Sequence, residues 1–87
     1  MRPVLFASIA QKDYEQWARY NTKMFAKINE LINDIDHHPF TGLGKPEPLK
    51  YELAGFWSRR INSKDRLVYQ ISPYNEIIII SCKGHYS

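Results

Sequence analysis

At Pro39 the hydrophobic period of this chain changes, and the change splits it into a helical half and a strand half. Upstream, Met24, Ile28, Leu31 and Ile35 recur at helical spacing, with Phe25 and Ile32 widening the stripe. That pattern predicts an amphipathic helix from about Thr22 to Asp36, stopped by Pro39. Ser8 followed by Gln11 has capping-box spacing and predicts an earlier helix from Ser8 to about Tyr20. Ala10, Tyr14 and Trp17 mark its buried stripe. Asn21-Thr22 breaks the first helix and caps the second, and so little chain joins them that they must form an antiparallel hairpin. Val4-Leu5-Phe6 suits a first strand, with Pro3 tolerable at its start.

Downstream, Thr41-Gly42-Leu43-Gly44-Lys45-Pro46 reads as a loop. Strands are expected over Leu49–Leu53, Phe56–Ile61, Arg66–Ile71 and Glu76–Cys82, separated by Gly55 and by two polar turns. The last contains four consecutive Ile, a pattern for a strand buried on both faces and therefore central. Short turns imply an antiparallel meander, so a helical hairpin on one face of the sheet gives an α+β layer fold. The 87 residues make one domain, 1–87, and 44% hydrophobic residues suffice for one core.

Several function classes lack support. Cys82 is the only cysteine, so no internal disulfide framework exists, and no apolar run approaches a membrane span. A reducing cytoplasm is the expected home, with no membrane partner. No C-x-x-C or His/Cys cluster offers zinc ligands, and no metal or cofactor is expected. His37-His38 points its rings apart on a helix and suits a cationic helix C-terminus better than a chelate. No GxGxxG or Walker pattern follows the Gly-rich loop.

The charge, by contrast, is localised. Lys45 to Arg66 holds six Lys or Arg against Glu47, Glu52 and Asp65, which accounts for the whole net +3 of the chain. A surplus confined to one segment that also holds Phe56 and Trp57 fits a surface that meets phosphates, or a solvated charged hairpin. Glu47 stands between Pro46 and Pro48, which restrict the backbone around its carboxylate. A carboxylate, a histidine able to exchange protons near neutral pH, and arginines are the groups needed for metal-free RNA cleavage. Glu47, Arg66, His85 and Tyr86 are therefore the candidates, and spacing alone does not bring them together.

The segments Lys45-Pro46-Glu47-Pro48-Leu49-Lys50, Gly55-Phe56-Trp57-Ser58-Arg59-Arg60-Ile61, Arg66-Leu67-Val68-Tyr69 and Cys82…His85-Tyr86 resemble the YoeB (Txe) toxins of the RelE superfamily. The helix text Lys27-Ile28-Asn29-Glu30-Leu31-Ile32 and His38-Pro39-Phe40 fit the same pattern, so the resemblance runs from about Tyr14 onward. It implies a toxin of a toxin–antitoxin system with a microbial-RNase-like fold, a ribosome-dependent endoribonuclease that cleaves messenger RNA in the A site. It also implies a cognate acidic antitoxin of the YefM/Axe kind and a homodimer. Position by position, the resemblance makes Glu47 the general base, His85 the general acid and Arg66 the group that stabilises the scissile phosphate. Lys50, Arg60 and Tyr86 become supporting contacts, and Arg59, on the opposite face of its strand, an antitoxin or ribosomal RNA contact. Gly84, where a bulky residue is usual, and Ser87 after the tyrosine depart from the pattern. Two other readings stand beside this one: a ParE-like gyrase inhibitor on the same fold, and a non-enzymatic RNA-binding module.

Overall fold

The computed structural model describes residues 1–84. Helices α1 (Ser8–Tyr20) and α2 (Thr22–His37) pack on one face of a five-stranded sheet, the expected α+β layers. The strands are β1 (Val4–Phe6), β2 (Glu47–Pro48), β3 (Trp57–Arg60), β4 (Arg66–Ile71) and β5 (Ile77–Ser81), in the spatial order β1-β5-β4-β3-β2. From β2 to β5 the sheet is the antiparallel meander, and β1 closes it as a parallel neighbour of β5. β5 is thus an inner strand, as its Ile run requires.

The facing stripes meet as the periodicity predicts. Ile28, Leu31 and Ile35 of α2 and Ala10 of α1 are fully buried against Leu67, Tyr69, Ile77 and Ile79. Each buried aliphatic side chain contributes about 1.5–3 kcal/mol. Asn21 caps α2, its Oδ1 accepting from the Met24 N–H at 3.2 Å. The capping box at Ser8 does not form. Ala7 is the cap residue, with no side-chain bond, and the Gln11 side chain reaches Glu15 instead. The sheet overrides the local signal here, because the Ala7 N–H donates to the Ile79 carbonyl at 2.9 Å and fixes the entry to α1 from β1.

Two other expectations need correction. The strand expected over Leu49–Leu53 is absent: β2 has two residues, and Tyr51–Leu53 wind into a 3₁₀ turn. Pro46 and Pro48 lack ladder donors, which keeps the edge pairing short. In β5 the register shifts, Tyr69 facing Ile79 while Val68 faces Ser81. The bulge leaves Ile80 as the extra residue and switches the inward parity, so Cys82 enters the core behind Ile77 and Ile79. Burial pushes its thiol up to about 12, and its carbonyl accepts the Trp17 indole N–H at 2.8 Å.

The third correction is Arg59. It is 0% exposed, on the helix side of β3, and touches neither solvent nor the charged surface. Its Nε donates to Tyr69 Oη at 3.2 Å and its Nη1 to Asp34 Oδ2 at 2.5 Å and to the Leu43 carbonyl at 3.1 Å. Its Nη2 donates to the carbonyls of Thr41, at 2.8 Å, and His38. Tyr69 Oη donates in turn to the Pro39 carbonyl at 2.6 Å. The loop after α2 is therefore wrapped around a guanidinium. It can close that tightly only with glycine at two positions. A Cβ on Gly42, at φ +106, would lie 2.2 Å from Asp34 Oδ2, and one on Gly44, at φ +78, 2.9 Å from Leu31 Cδ2.

Arg59→Ala would leave those carbonyls without their donor and the Asp34 carboxylate without its counter-charge, so it should lower stability by about 3–5 kcal/mol, read as a fall in the urea midpoint. A loss below about 1 kcal/mol would show that the loop holds itself. The Asp34 carboxyl is lowered, first by the Leu43 N–H and then by Arg59, against the opposing effect of burial. Its folded pKa thus lies below the unfolded one. The contribution is complete above the unfolded value near 3.8 and is lost as pH falls through the folded value, so stability measured against pH should fall more steeply below pH 4 in wild type than in Asp34→Asn.

Candidate active site

The sheet face turned away from the helices collects the charge. Pairing fixes which side chains share it: Glu47 lies opposite Ser58, and Arg60 opposite Arg66. With Lys45 and Lys50 from the neighbouring edge segment they line an open cleft of about 350 Å³. Pro48, Leu49, Tyr51 and Leu53 form its apolar lining. The structure thus brings together Glu47, Lys50, Arg60 and Arg66 and puts Arg59 on the far side of the sheet. His85 and Tyr86 lie outside the described residues.

Each wall is positioned by a traceable contact. The Gly44 carbonyl accepts the Arg60 N–H at 2.7 Å, so the loop held by Arg59 hands the chain to Lys45 and Glu47 at the cleft. Asn62 organises the turn before Arg66, its Oδ1 accepting the N–H groups of Lys64 at 2.8 Å and Asp65 at 2.7 Å. Arg66 Nη1 donates to the carbonyls of Asn62 at 3.0 Å and Asp65 at 3.2 Å, which fixes the guanidinium at the cleft. Buried Asp65 also accepts the Gly84 N–H at 2.9 Å, while the Arg66 N–H donates to the Gly84 carbonyl at 2.9 Å. The residue that precedes His85 in sequence is therefore tied to the strand that carries Arg66. In the sequence Asp65 counts only among the anions of the charged segment. Its signal was an acidic residue directly before the arginine, closing an Asn-started turn.

Electrostatically the cleft is unbalanced. Four cations, Lys45, Lys50, Arg60 and Arg66, face one carboxylate, Glu47. The ion pairs among the described residues are Arg2–Asp36, Lys27–Glu30 and Arg59–Asp34, and none neutralises the cleft. Like charges directly opposed on neighbouring strands, as at Arg60 and Arg66, are destabilising until an anion lies between them. Such a surface suits a phosphodiester, with one fixed carboxylate available as a base.

Comparison with known proteins shows the family. The model of the YoeB-like toxin of bacterial type II toxin-antitoxin system matches residues 6–86. This chain belongs to that family. It is 47% identical over 83 residues to a Toxin YoeB of Synechocystis, covering 95% of both chains. A YoeB/ParE toxin from Agrobacterium tumefaciens superposes with a TM-score of 0.93 at 44% identity, covering 97% of this chain and 99% of the other. The YoeB of Staphylococcus aureus, solved in a YoeB-YefM complex, gives 0.91 at 46% identity over 99% of each chain. Its dimer gives 0.91 at 45% over 98% of each. The family places the chain among toxins of toxin–antitoxin systems. No helix among the described residues is long and apolar enough to cross a membrane.

If the cleft holds phosphates, single-stranded RNA should bind with an affinity that falls as salt rises. Lys50→Gln and Arg60→Gln should each reduce the logarithmic salt slope by about 0.7. An unchanged slope in both would place the phosphates elsewhere.

Proposed function

We propose that this toxin is a ribosome-dependent, metal-independent endoribonuclease that cuts messenger RNA in the A site and so blocks translation. The observation that carries the reading is the cleft itself, a single carboxylate on a constrained backbone among cations left unneutralised by the described residues. Glu47 takes the proton of a ribose 2′-OH, and O2′ attacks the adjacent phosphorus. Arg66, with Lys50 and Arg60, stabilises the charge that builds on the phosphorane oxygens. The bond to the 5′-oxygen breaks, and that oxygen leaves with a proton from His85, supported by Tyr86. The product is a 2′,3′-cyclic phosphate, or the 3′-phosphate once water opens the ring. A divalent metal has no part in this scheme, because the cleft offers one carboxylate against four cations and would repel it.

The shallow, open site does little to align free RNA. Holding the message in line is the ribosome's contribution, and orientation of this kind is worth up to about 7–11 kcal/mol. In the cytoplasm the toxin is silenced by an acidic antitoxin of the YefM kind, whose disordered segment folds over the basic surface, and it self-associates as a dimer. The YoeB-YefM complex and the YoeB dimer of S. aureus support a YefM-type partner and self-association. Arg60 is the charge-reversal site for testing the antitoxin contact, since Arg59 is internal.

The deciding experiment is single-turnover cutting of one message, free and in the A site, by wild type and by Glu47→Gln, Arg66→Ala and His85→Ala. Cleavage should be fast only on the ribosome, should persist when free divalent ions are chelated with the ribosome kept intact, and should fall about 10²–10⁴-fold in Glu47→Gln. Equal rates in Glu47→Gln and wild type would remove the base from the scheme. Inhibition of DNA supercoiling by both, with the message intact, would replace the nuclease with a gyrase inhibitor.

A further inference from the structure

Tyr51 is a cleft residue that the catalytic scheme does not use. Tyr51 is 87% exposed and lines the same cleft as Lys50, Arg60 and Arg66. Its backbone has φ 58, in the left-handed region that favours glycine. That conformation is imposed by its neighbours: the Leu53 N–H donates to the Lys50 carbonyl at 3.1 Å, Ala54 N–H to the Tyr51 carbonyl at 3.0 Å, and Leu49 N–H to the Phe56 carbonyl at 2.9 Å. A turn of this shape is filled at least cost by glycine or asparagine. Here it carries a large aromatic ring instead. Among the described residues the Tyr51 hydroxyl has no hydrogen-bond partner and the ring no aromatic one, so the strain brings the fold nothing visible in return. Backbone strain of this kind collects at sites where a side chain must be presented to a ligand.

We propose that Tyr51 is a nucleobase-stacking residue of the cleft, which rests on the RNA-cleaving reading above. Proteins that hold single-stranded nucleic acid pair a cationic track for the backbone with aromatic platforms for the bases. Lys50, Arg60 and Arg66 supply the track. The ring of Tyr51, with Pro48, Leu49 and Leu53 in the same lining, supplies an apolar seat for a base beside the held phosphate. Because every base has a π-face, the contact orients the nucleotide without reading its identity. It binds ground state and transition state alike, so its loss belongs in KM rather than in kcat.

The test uses the complete chain carrying Tyr51→Phe, Tyr51→Ala or Tyr51→Gly, with Glu47→Gln as control, on ribosomes holding one message. Stability is measured in parallel by urea unfolding. Tyr51→Phe should cut within about twofold of wild type. Tyr51→Ala and Tyr51→Gly should lose about 5–100-fold in kcat/KM, mainly through KM, with no change of base preference. Tyr51→Gly should at the same time be at least as stable as wild type, since it relieves the left-handed backbone. A merely structural tyrosine would give a stable, fully active glycine variant, and that result overturns the assignment. Unchanged cleavage with weakened antitoxin binding would overturn it too, by placing the ring in a protein interface. If Glu47→Gln cuts like wild type, the nuclease reading itself fails and the stacking role falls with it. If Glu47→Gln is inactive while Tyr51→Ala cuts normally, the stacking role alone is lost.

Discussion

A guanidinium taken out of water must find an acceptor for every N–H it carries, and around Arg59 the chain is shaped to provide them. Carbonyls of His38, Thr41 and Leu43, the Asp34 carboxylate and the Tyr69 hydroxyl close over it. Charge burial of this kind is a costly way to gain stability compared with an apolar core. What it provides is geometry. One rigid, planar group holds α2, β3, β4 and the connecting loop at fixed distances, and that loop delivers Glu47 to the sheet edge. The position of the carboxylate on one face is therefore set from the other.

This division between faces also explains how a strand as short as β2 can hold a cleft residue. Helix-side residues Leu67, Tyr69, Ile77 and Ile79 supply the burial that holds the sheet against the hairpin. The opposite face is then free to hold like charges at Arg60 and Arg66, an arrangement that a marginal sheet could not tolerate. Repulsion there and attraction beneath are separated by the thickness of one sheet.

How much of this could be read in advance follows from the strength of each local signal. The Met24-to-Ile35 stripe is long and strictly periodic, so α2 and its buried face were legible, as were β4 and β5. Ser8 and Gln11 had the right spacing for a cap, but a backbone bond from Ala7 to the sheet decided where α1 begins. Leu49–Leu53 looked like a strand because two leucines flank polar residues. The flanking prolines and the left-handed Tyr51 gave a turn. For Arg59, strand alternation correctly put it opposite Arg60, yet alternation does not say which face is covered. Trp57 on the same face and Asp34 beside Ile35 were the signals for burial, and the usual exposure of arginine outweighed them. Glu47 and Arg66 were picked out by their chemistry and Lys50 and Arg60 by resemblance, and their convergence on one cleft is tertiary information that spacing does not contain.

The strand with four isoleucines has a further property. Alternating strands resist slippage, because a shift by one residue would turn every apolar side chain outward. Ile77 to Ile80 gives no such resistance, since a shifted strand would present isoleucine to both faces just as before. Its alignment is set from the ends, where Ile77 N–H meets the Pro3 carbonyl at 2.8 Å and Gly84 meets Asp65 and Arg66. Folding energy and site alignment are consequently separable at β5. A chain slipped by one position there would still bury isoleucine on the helix side, while displacing Cys82 from the core and carrying Gly84 out of step with Arg66.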